Sequence, residues 1–356
     1  MAMACNPSAR QAGFVLATTL WLLAGITVAV GLMVIWAREQ VQQAQQLREQ
    51  VQDRIAMQET RDTLLYIAAT RDITLAGLAT ELLPDDMRAI RRLDEFGGLV
   101  RDPVGSELRL DDTHYRGVRD TLFSLQDEAG LFSVMLPSPS GLDAFLRQQG
   151  IENERVAPLR DAFLDYVDED DLTRLNGAEA DDYRRAHRPP PANRRLLAPA
   201  EIERIFGWDK LPPATLARMR ESITPYQVGG INLNTAPKDL LPLWIDGCPE
   251  TCDRLLARRE QQPLHNSSQA EGVLGVALRG DNLLDYRYLA SDTLRLTLWG
   301  RTGPAQRFHV RLTAMADKKA PWAILASYTI SRPDKDDPAH PTGSPFFADK
   351  DTARGR

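Results

Sequence analysis

The feature that most constrains this chain is an uncharged, apolar run that begins at Phe14 and ends at Ala37, directly before Arg38. About 20 apolar residues are enough for a helix to cross the hydrocarbon core of a bilayer, and this run reaches that length. The sequence therefore predicts that residues 14–37 form a helix that spans a membrane.

The flanks of the run distinguish it from an ordinary secretory signal. A cleaved signal peptide has a shorter apolar core followed by a small-residue cleavage site, whereas here the small residue, Gly13, precedes the run. A polar leader that ends in Gly13 and continues with Phe14 resembles the type IV prepilin signal, which a dedicated peptidase cuts after the Gly. The resemblance implies that the mature chain begins at Phe14 and that Cys5 is lost. A plain single-pass anchor with an incidental Gly-Phe pair is the alternative.

The fifth residue after this cleavage position is Thr18. Most pilin-like subunits carry Glu there, and a carboxylate inside a bilayer is costly unless a partner meets it. A subunit with no neighbour above it has no use for that carboxylate. Among pilin-like families, the lack of this Glu resembles the K pseudopilin of the type II secretion system.

Composition excludes several classes of function. The 356 residues carry a formal net charge of −6, which argues against a broad nucleic-acid face because phosphate binding relies on clustered Lys and Arg. No P-loop or recognisable nucleophile motif is present, and the five histidines are scattered through the sequence. We interpret the chain as non-enzymatic and expect it to require no cofactor. The histidines are His114, His187, His265, His309 and His340.

Beyond the apolar run, residues 38–69 contain no Gly or Pro and carry apolar residues at spacings of three, four or their multiples. This pattern predicts one stripe along a helix that continues from the membrane span. Its outer half is expected to pack on a small antiparallel sheet, as in pilin-like proteins. A membrane-anchored coiled coil is the alternative, although such a coil needs several sustained heptads. The stripe consists of Val41, Ala44, Leu47, Val51, Ile55 and Leu65.

Two short motifs carry the closest family resemblance. Asp165-Tyr166-Val167-Asp168 and Asn176-Gly177-Ala178-Glu179 are similar to the Asp-Trp-Ile-Asp and Asn-Gly-Ala-Glu signature of general secretion pathway protein K, with Tyr166 where Trp is usual. Residues 201–208 fit the next segment of that family. The resemblance implies an α+β fold in which a long N-terminal helix packs on a small antiparallel sheet and a large all-α domain with SAM-like units is inserted.

The expected organisation follows from these features and from turn and strand patterns along the chain. Short strands are expected in residues 70–110 and again near the C-terminus, with a disordered tail after Ser331. The expected divisions are a leader at 1–13, a transmembrane helix at 14–37, the helix continuation and first strands at 38–110, an inserted helical domain at 111–227, a helix-hairpin-helix at 228–285, C-terminal strands at 286–331 and a tail at 332–356.

An acidic segment within the inserted domain has two interpretations. It gathers hard oxygen ligands of the kind that calcium prefers, but the spacing is not that of an EF-hand. Solvated loop carboxylates and helix caps are the commoner explanation of such charge runs. Protein K is associated with bound calcium, so the resemblance implies a structural calcium site here. The candidate ligands are Asp165, Asp168, Asp170, Asp171 and Glu179.

The segment after Gly230 predicts a helix-hairpin-helix. Thr235 is expected to cap its first helix, and its second helix is expected at residues 251–259 with Cys248 as the cap. DNA-binding versions of this motif usually have a Gly-Ile-Gly hairpin, whose backbone amides approach a phosphate. Here the hairpin carries two carboxylates, and Pro249 lacks an amide hydrogen. We therefore expect no nucleic-acid binding and a role in folding or docking.

Cys248 and Cys252 are the two cysteines that remain after loss of the leader. Residues four apart around a first helical turn sit near the outer edge of the separation that a disulfide tolerates. The oxidising periplasm favours a bridge over two free thiols, and both states stay open. A Cys-x3-Cys pair without nearby His or further Cys is weak evidence for zinc.

The resemblance to protein K implies a minor pseudopilin at the tip of the secretion pseudopilus. It would be inserted once in the inner membrane, with its N-terminus in the cytoplasm and its bulk in the periplasm. The implied partners are minor pseudopilins I and J, the prepilin peptidase, the inner-membrane assembly platform and the lipid bilayer. Two alternatives are a membrane-anchored DNA receptor and a minor pilin of a type IV pilus, which would lack the acidic and Asn-Gly-Ala-Glu segments.

Overall fold

The computed structural model describes residues 12–82, 101–119, 121–280, 284–317 and 320–332. The chain divides into two compact units, Met1–Ile55 and Ala56–Arg356. The predicted leader up to residue 11, the part of the predicted strand region at 83–100 and the predicted tail from residue 333 lie outside the described residues.

Helix α1 runs without interruption from Ala12 to Thr70. The prediction of one helix through the apolar run and its polar continuation is confirmed. Among the described residues, α1 is also the one helix that is long and apolar enough to cross a membrane.

The apolar stripe of α1 has two different environments. Up to Ile55 the large apolar side chains of the stripe are exposed in the single chain, so the prediction that they face a core is wrong there. In the second unit the same helix buries Leu64, Leu65 and Ile67. Burial begins where α1 has sheet residues to pack against, because an apolar stripe is covered only where another element meets it.

The second unit contains the described strands and the remaining helices. In chain order the strands are β1 (Ile73–Thr74), β2 (Gly77–Ala79), β3 (Glu107–Leu108), β4 (Asp111–Arg116), β5 (Leu122–Asp127), β6 (Phe132–Ser133), β7 (Ile223–Thr224), β8 (Ile231–Asn232), β9 (Tyr286–Arg287), β10 (Thr293–Trp299), β11 (Ala305–Asp317) and β12 (Ala320–Ile330). The α-helices after α1 are α2 (Pro139–Gln148), α3 (Asn153–Val167), α4 (Ala180–Arg185), α5 (Pro213–Ser222), α6 (Glu250–Gln261) and α7 (Ser267–Leu274). Four 3-10 helices cover Glu128–Gly130, Pro199–Arg204, Trp208–Lys210 and Lys238–Leu243.

The main sheet is antiparallel and has the strand order β12-β11-β10-β5-β4. Its central strands β5 and β10 are neighbours, with Leu294 opposite Asp127 and Trp299 opposite Leu122. The chain between them therefore leaves the sheet and returns to the same place. This topology places a large insertion within the sheet, as the sequence predicted.

The insertion begins later than the sequence indicated. Residues 111–116 and 122–127 were predicted to belong to the helical domain, but they form β4 and β5 of the main sheet. That prediction is wrong because Phe123 and Leu125 lie on one face of a strand pair, where their cross-strand partners bury them. The apolar residues of this stretch thus follow a period of two rather than 3.6.

The two faces of the main sheet differ in chemistry. Leu294, Leu296 and Leu298 alternate along β10 and belong to the apolar cluster that includes Leu64 and Ile67 of α1. The residues between them, together with alternate residues of β11, form a polar face that is also buried. Its members are Arg295, Thr297, Arg307 and His309.

Buried charges on this polar face are paired with acids outside β10 and β11. Arg295 and Arg307 are 3% and 4% exposed, and both contact Glu221 in α5, at 3.6 Å and 2.6 Å. Arg295 also donates to Asp112 in β4 at 3.0 Å. Burial raises the pKa of Glu221, but the charges of Arg295 and Arg307 outweigh that effect and hold the pKa below its ordinary value. The ion pairs tie helix α5 to the sheet.

The inserted helices form their own apolar core. Phe132 of β6 stacks on Phe145 of α2 with ring centroids 4.5 Å apart, and Trp208 donates its indole hydrogen to the carbonyl of Leu159 at 2.9 Å. Strand β6 pairs in parallel with β7, so the start and the end of this helical part meet. The inserted helices thus form a compact body whose two ends are joined by the pairing of β6 with β7.

A single carboxylate, Asp127, lies where the chain leaves the sheet. Its Oδ1 accepts hydrogen bonds from the amide of Ala129 and from both the amide and the hydroxyl of Ser291, at 2.7–3.1 Å. Its Oδ2 accepts from the side chains of Asn232 at 2.8 Å and Thr235 at 3.0 Å. Burial raises the pKa of Asp127, and the hydrogen bonds from Ser291, Asn232 and Ala129 oppose that effect.

Thr235 therefore serves a different purpose from the predicted one. Its hydroxyl donates to Asp127, and the following helix is a 3-10 helix whose N-cap residue is Pro237. The prediction that Thr235 caps an α-helix is wrong, because the helix that follows is of the 3-10 type and begins only after Pro237.

Replacement of Asp127 by Ala should lower the free energy of unfolding by about 3 kcal/mol or more, because it leaves several buried donors without an acceptor. Asp181→Ala removes a carboxylate that is 73% exposed and should change it by less than about 0.5 kcal/mol. Urea unfolding of the full chain in detergent, followed by tryptophan fluorescence, compares the two. Equal midpoints would contradict this role of Asp127.

Candidate functional site

The candidate site is the acidic turn between helices α3 and α4. Helix α3 ends at Val167, and Asp168 is its C-cap, with an amide that donates to the carbonyl of Leu164 at 3.1 Å. Helix α4 starts at Ala180 with Glu179 as its N-cap residue. The turn between the two caps thus brings the C-terminal end of one helix close to the N-terminal start of the next.

Arg174 lies at the centre of this turn. Its Nη1 donates to Oδ1 of Asp165 at 2.6 Å and to Oδ2 of Asp168, and its backbone amide donates to Oδ2 of Asp165 at 3.2 Å. Burial lowers the pKa of Arg174, but the hydrogen bonds to Asp168 and Asp165 raise it by more, so the pKa lies above its ordinary value. Arg174 was not among the predicted site residues, although it is a cation inside an acidic run of the sequence.

The Asn-Gly-Ala-Glu motif has a structural reason at each position. Asn176 donates its side-chain amide to Asp161 at 3.0 Å, and Ala178 is buried. A Cβ at Gly177 would lie 1.8 Å from Oδ2 of Asp165, so no larger residue fits there without a shift of the carboxylate. The motif therefore packs the turn against helix α3 and ends in the buried residue Glu179.

Glu179 is the least satisfied acid of the site. Its residue surface is 5% exposed, and neither carboxylate oxygen meets a donor in full hydrogen-bond geometry among the described residues, although backbone amides in the first turn of α4 face it. Burial raises its pKa to about 7, and the charges of Asp165, Asp168 and Asp171 add to that effect. One oxygen of Asp168, Oδ1, is likewise buried without a partner. These unpartnered oxygens are the ones that a further cation or a proton would satisfy.

The other two predicted ligands are exposed and have local partners. Asp170 accepts from the amide of Leu172 at 2.8 Å, and Asp171 accepts from the side chain of Asn193 at 3.1 Å. These contacts are typical of carboxylates that shape a turn. Arg174 joins Asp165 and Asp168, and the charges of Asp165, Asp168 and Asp171 all act on Glu179, whereas Asp170 has only its local contact.

The chemistry of the buried acids suits a hard cation such as calcium, which binds carboxylate oxygens. Within the part of the chain that the structure describes, however, no three His, Cys, Asp or Glu side chains are placed to hold a metal ion as they stand. The guanidinium of Arg174 is paired with two of the five candidate carboxylates, Asp165 and Asp168. The acids are thus of the ligand type that calcium prefers, but they do not form a metal site as they stand.

The predicted hairpin consists of the 3-10 helix Lys238–Leu243, a turn and helix α6. Asp246 in the turn forms an ion pair with Arg279. The N-cap residue of α6 is Pro249, so the prediction that Cys248 caps this helix is wrong by one residue. Cys248 and Cys252 are joined by a disulfide, with Cα atoms 5.1 Å apart.

His309 is the histidine with the most specific environment. It is fully buried, and its Nδ1 lies 2.5 Å from Oε1 of Glu128 while its Nε2 lies 2.9 Å from the hydroxyl of Tyr328. Sequence reasoning had no signal for this arrangement because Glu128 and His309 are 181 residues apart. The three side chains join the 3-10 helix after β5 to strands β11 and β12.

Comparisons with known proteins point to the inserted helical part. The family model described as "Type II secretion system (T2SS), protein K" matches residues 132–226, which run from β6 past β7. Over these residues the chain is similar to protein K of the type II secretion system. The matched residues include both signature motifs and the acidic turn, as the resemblance in the sequence predicted.

A structural comparison finds similarity to a chain in "The Crystal Structure of the GspK-GspI-GspJ complex from enterotoxigenic Escherichia coli Type 2 Secretion System". The TM-score is 0.43 at 13% sequence identity, over 60% of this chain and 82% of that chain. A likeness at this level decides nothing further about the protein. No match is found among curated protein sequences.

The raised pKa of Glu179 predicts that the free energy of unfolding depends on pH. Between pH 4.5 and about 7 the folded chain binds a proton at Glu179 that the unfolded chain releases, so this group's contribution to stability falls as pH rises through that window. Glu179→Gln should therefore raise the free energy of unfolding at pH 8 by up to about 3 kcal/mol and leave it unchanged below the ordinary pKa of Glu.

The measurement is urea unfolding of the full chain at several pH values in the presence of a chelator. Asp181→Asn is the matched control, because it neutralises an exposed acid at the start of the same helix. A constant difference between Glu179→Gln and the parent chain from pH 4 to pH 8 would show that Glu179 does not titrate in this window.

Proposed function

We propose that this chain is the K-type minor pseudopilin at the tip of the type II secretion pseudopilus. In that place it initiates assembly of the pseudopilus and supports export of folded proteins across the outer membrane. The observation that carries the proposal is the family match over the inserted domain, residues 132–226. A membrane-anchored helix that leads into a split sheet with this insertion is consistent with a pilin-like subunit.

The proposed location is the inner membrane, with a single crossing. Large apolar side chains are exposed along α1 from Phe14 to Trp36, and a bilayer would cover them. The N-terminus would lie in the cytoplasm, where the prepilin peptidase acts, and the second unit would lie in the periplasm.

Thr18 supports a position at the tip. Its hydroxyl donates to the backbone carbonyls of Phe14 at 3.1 Å and Val15 at 2.9 Å, so its polar atom is satisfied within its own helix. Such a residue carries no charge into the bilayer and requires no partner there. It also has no carboxylate to offer the N-terminal amine of a subunit added above it.

The proposed partners are minor pseudopilins I and J, the prepilin peptidase, the assembly platform and the lipid bilayer. The chemistry of the hairpin argues against the DNA-receptor alternative. Asp246 is already paired with Arg279, and Pro249 has no amide hydrogen to give to a phosphate. The acidic turn, which lies inside the family match, argues against a type IV minor pilin.

Cleavage of the leader is tested by producing the full chain together with a prepilin peptidase. N-terminal sequencing should then start at Phe14, and Gly13→Leu should block cleavage because the peptidase recognises the Gly. Gly25→Leu is the matched control, since a Cβ at Gly25 meets nothing within 4 Å, and this variant should be cleaved normally. Equal processing of both variants, or an intact N-terminus in every case, would contradict the assignment.

The same material tests the assembly partners. The processed chain should co-purify in detergent with I and J pseudopilins of the same secretion system, and it should not do so with a major pilin of a type IV pilus. Co-purification with neither I nor J would oppose the function proposed here.

We further propose that the acidic turn takes up a structural calcium ion. Asp165, Asp168 and Glu179 would supply the protein oxygens, and Arg174 would give up its contacts with the two aspartates. The unpartnered oxygens of Glu179 and the unpartnered Oδ1 of Asp168 support this interpretation, because calcium would satisfy buried acceptors that have no donor. When bound, calcium would neutralise the turn and join the ends of α3 and α4.

Calorimetry of the full chain in detergent should show calcium binding in the micromolar to millimolar range, with a rise in melting temperature. Asp168→Asn and Glu179→Gln should both weaken binding by at least about ten-fold because each removes a charged ligand. Asp170→Asn, which alters an exposed acid of the same turn, is the matched control and should bind as the parent does. Absence of binding heat for the parent chain, or equal binding by all three variants, would overturn the calcium site.

A further inference from the structure

Strand β12 is one edge of the main sheet. It runs from Ala320 to Ile330 and pairs on one side with β11, and the strand order places no described strand on its other side. The alternate amides and carbonyls on that outer side are therefore available to another strand. Its eleven residues contain no Asp, Glu, Lys or Arg.

The opposite edge of the same sheet shows the usual protection. Strand β4 has six residues, of which Asp111, Asp112 and Arg116 are charged, and its pairing with β5 is irregular between Asp111 and His114. Short length, charge and bulges are the devices by which natural proteins keep edge strands from pairing. Strand β12 is long and uncharged, so it lacks the first two of these devices, although β4 of the same sheet has both.

The irregularities of β12 are confined to its first part. Its pairing with β11 shifts between His309 and Val310 and again between Leu312 and Asp317. From Ala326 to Ile330 the register is regular, with Ala326 opposite His309 and Ile330 opposite Ala305. The last five residues of β12 thus form a straight, uncharged edge, which we call the open edge.

The open edge ends in a groove of about 970 Å³ that is lined by the last residues of β12, by helix α5 and by the 3-10 helix Lys238–Leu243. Thr329, Ile330 and Ser331 form one wall. A chain that extended the sheet along the open edge would therefore run into this groove. The charged side chains that line the groove are Arg218, Arg220, Lys238, Arg307, Glu221 and Asp239.

Cations outnumber acids in this groove, and one cation has no acid partner. Arg307 is held by Glu221, and Arg220 forms an ion pair with Glu203 at 2.6 Å. Arg218 donates only to the carbonyl of Gln149 at 3.4 Å and to a hydroxyl at 3.3 Å. Among the described residues, the guanidinium of Arg218 thus lacks a carboxylate.

We propose that the open edge of β12 binds an extended segment of a partner protein as a sixth strand, with a carboxylate of that segment bound at Arg218. Main-chain hydrogen bonds along β12 provide binding that depends little on sequence, and the groove selects segments that end in an acid. The proposal rests on the edge and the groove, and it holds whichever secretion or pilus system the chain serves.

A second copy of this chain fits the groove poorly. Antiparallel pairing of two β12 strands would bring the uncharged first residues of one β12 towards the groove of the other, and these offer Arg218 no carboxylate. Parallel pairing would bring Arg332 there instead, and like charges at a contact disfavour it. The charge of the groove therefore favours a different, acidic partner.

The experiment uses the full chain in detergent and defined peptides. The probes are capped seven-residue peptides of alternating Thr and Val with Asp at either the first or the last position, and the same peptides with Lys in place of Asp. Fluorescence anisotropy should show that one of the two Asp peptides binds at least about ten-fold more tightly than its Lys counterpart. Arg218→Glu should reverse that preference, because it changes the sign of the unpaired charge.

Two controls separate strand addition from simple charge attraction. Methylation of alternate backbone nitrogens of the tighter Asp peptide should abolish binding, because it removes the donors that pair with β12. Hydrogen exchange of the full chain with the unmodified peptide should protect every second amide from Ala326 to Ile330. The amides of β4, the charged edge of the same sheet, should exchange as they do without peptide.

Three results would overturn the proposal. Equal binding of Asp and Lys peptides would remove the role of Arg218, and undiminished binding of the methylated peptide would exclude strand addition. Self-association of the chain with protection of β12 at high protein concentration, unaffected by any peptide, would assign the open edge to a second copy instead.

Discussion

The rest of the second unit depends on one buried carboxylate, Asp127. A domain inserted between adjacent strands must leave and re-enter the sheet at one point, and both crossings need their backbone groups satisfied without water. Asp127 accepts hydrogen bonds from the exit turn, from Asn232 at the end of β8 and from Ser291 on the return. A carboxylate without a cation is costly to bury, and five donors at 2.7–3.1 Å are what offset that cost.

The second constraint is the division of the main sheet into an apolar and a polar face. Helix α1 covers the leucines of β10, so the inserted domain can meet only the other face, where Arg295 and Arg307 lie. Buried ion pairs contribute little net stability compared with apolar packing, but the loss of one partner is strongly destabilising. Glu221, which contacts both arginines, therefore fixes where α5 sits on the sheet more than it strengthens the contact. Placement of α5 in turn builds one wall of the groove beside β12.

Sequence patterns identified the parts of this protein that depend on neighbours in the sequence. The uninterrupted helix, the insertion and the family signature were predicted because apolar spacing and short motifs are local properties. The strands β4 and β5 were assigned to the helical domain because the apolar residues at 122–125 match either period over so short a stretch. The partners of Thr235 and His309 are 108 and 181 residues away, and no local pattern indicates them.

The sequence predicted which acids lie in the acidic turn, but it did not predict which groups balance their charges. Five acids were considered as ligands of one kind, whereas the structure separates two exposed turn formers from Asp165 and Asp168, which contact Arg174, and from the buried Glu179. Asp165 and Asp168 share one guanidinium, and burial, together with the charges of these neighbouring acids, raises the pKa of Glu179. A proton and the guanidinium of Arg174 both lower the same excess of negative charge, and the proposed calcium ion would do so as well. The three would therefore compete, and the stability of the turn would depend on which of them the buried oxygens receive.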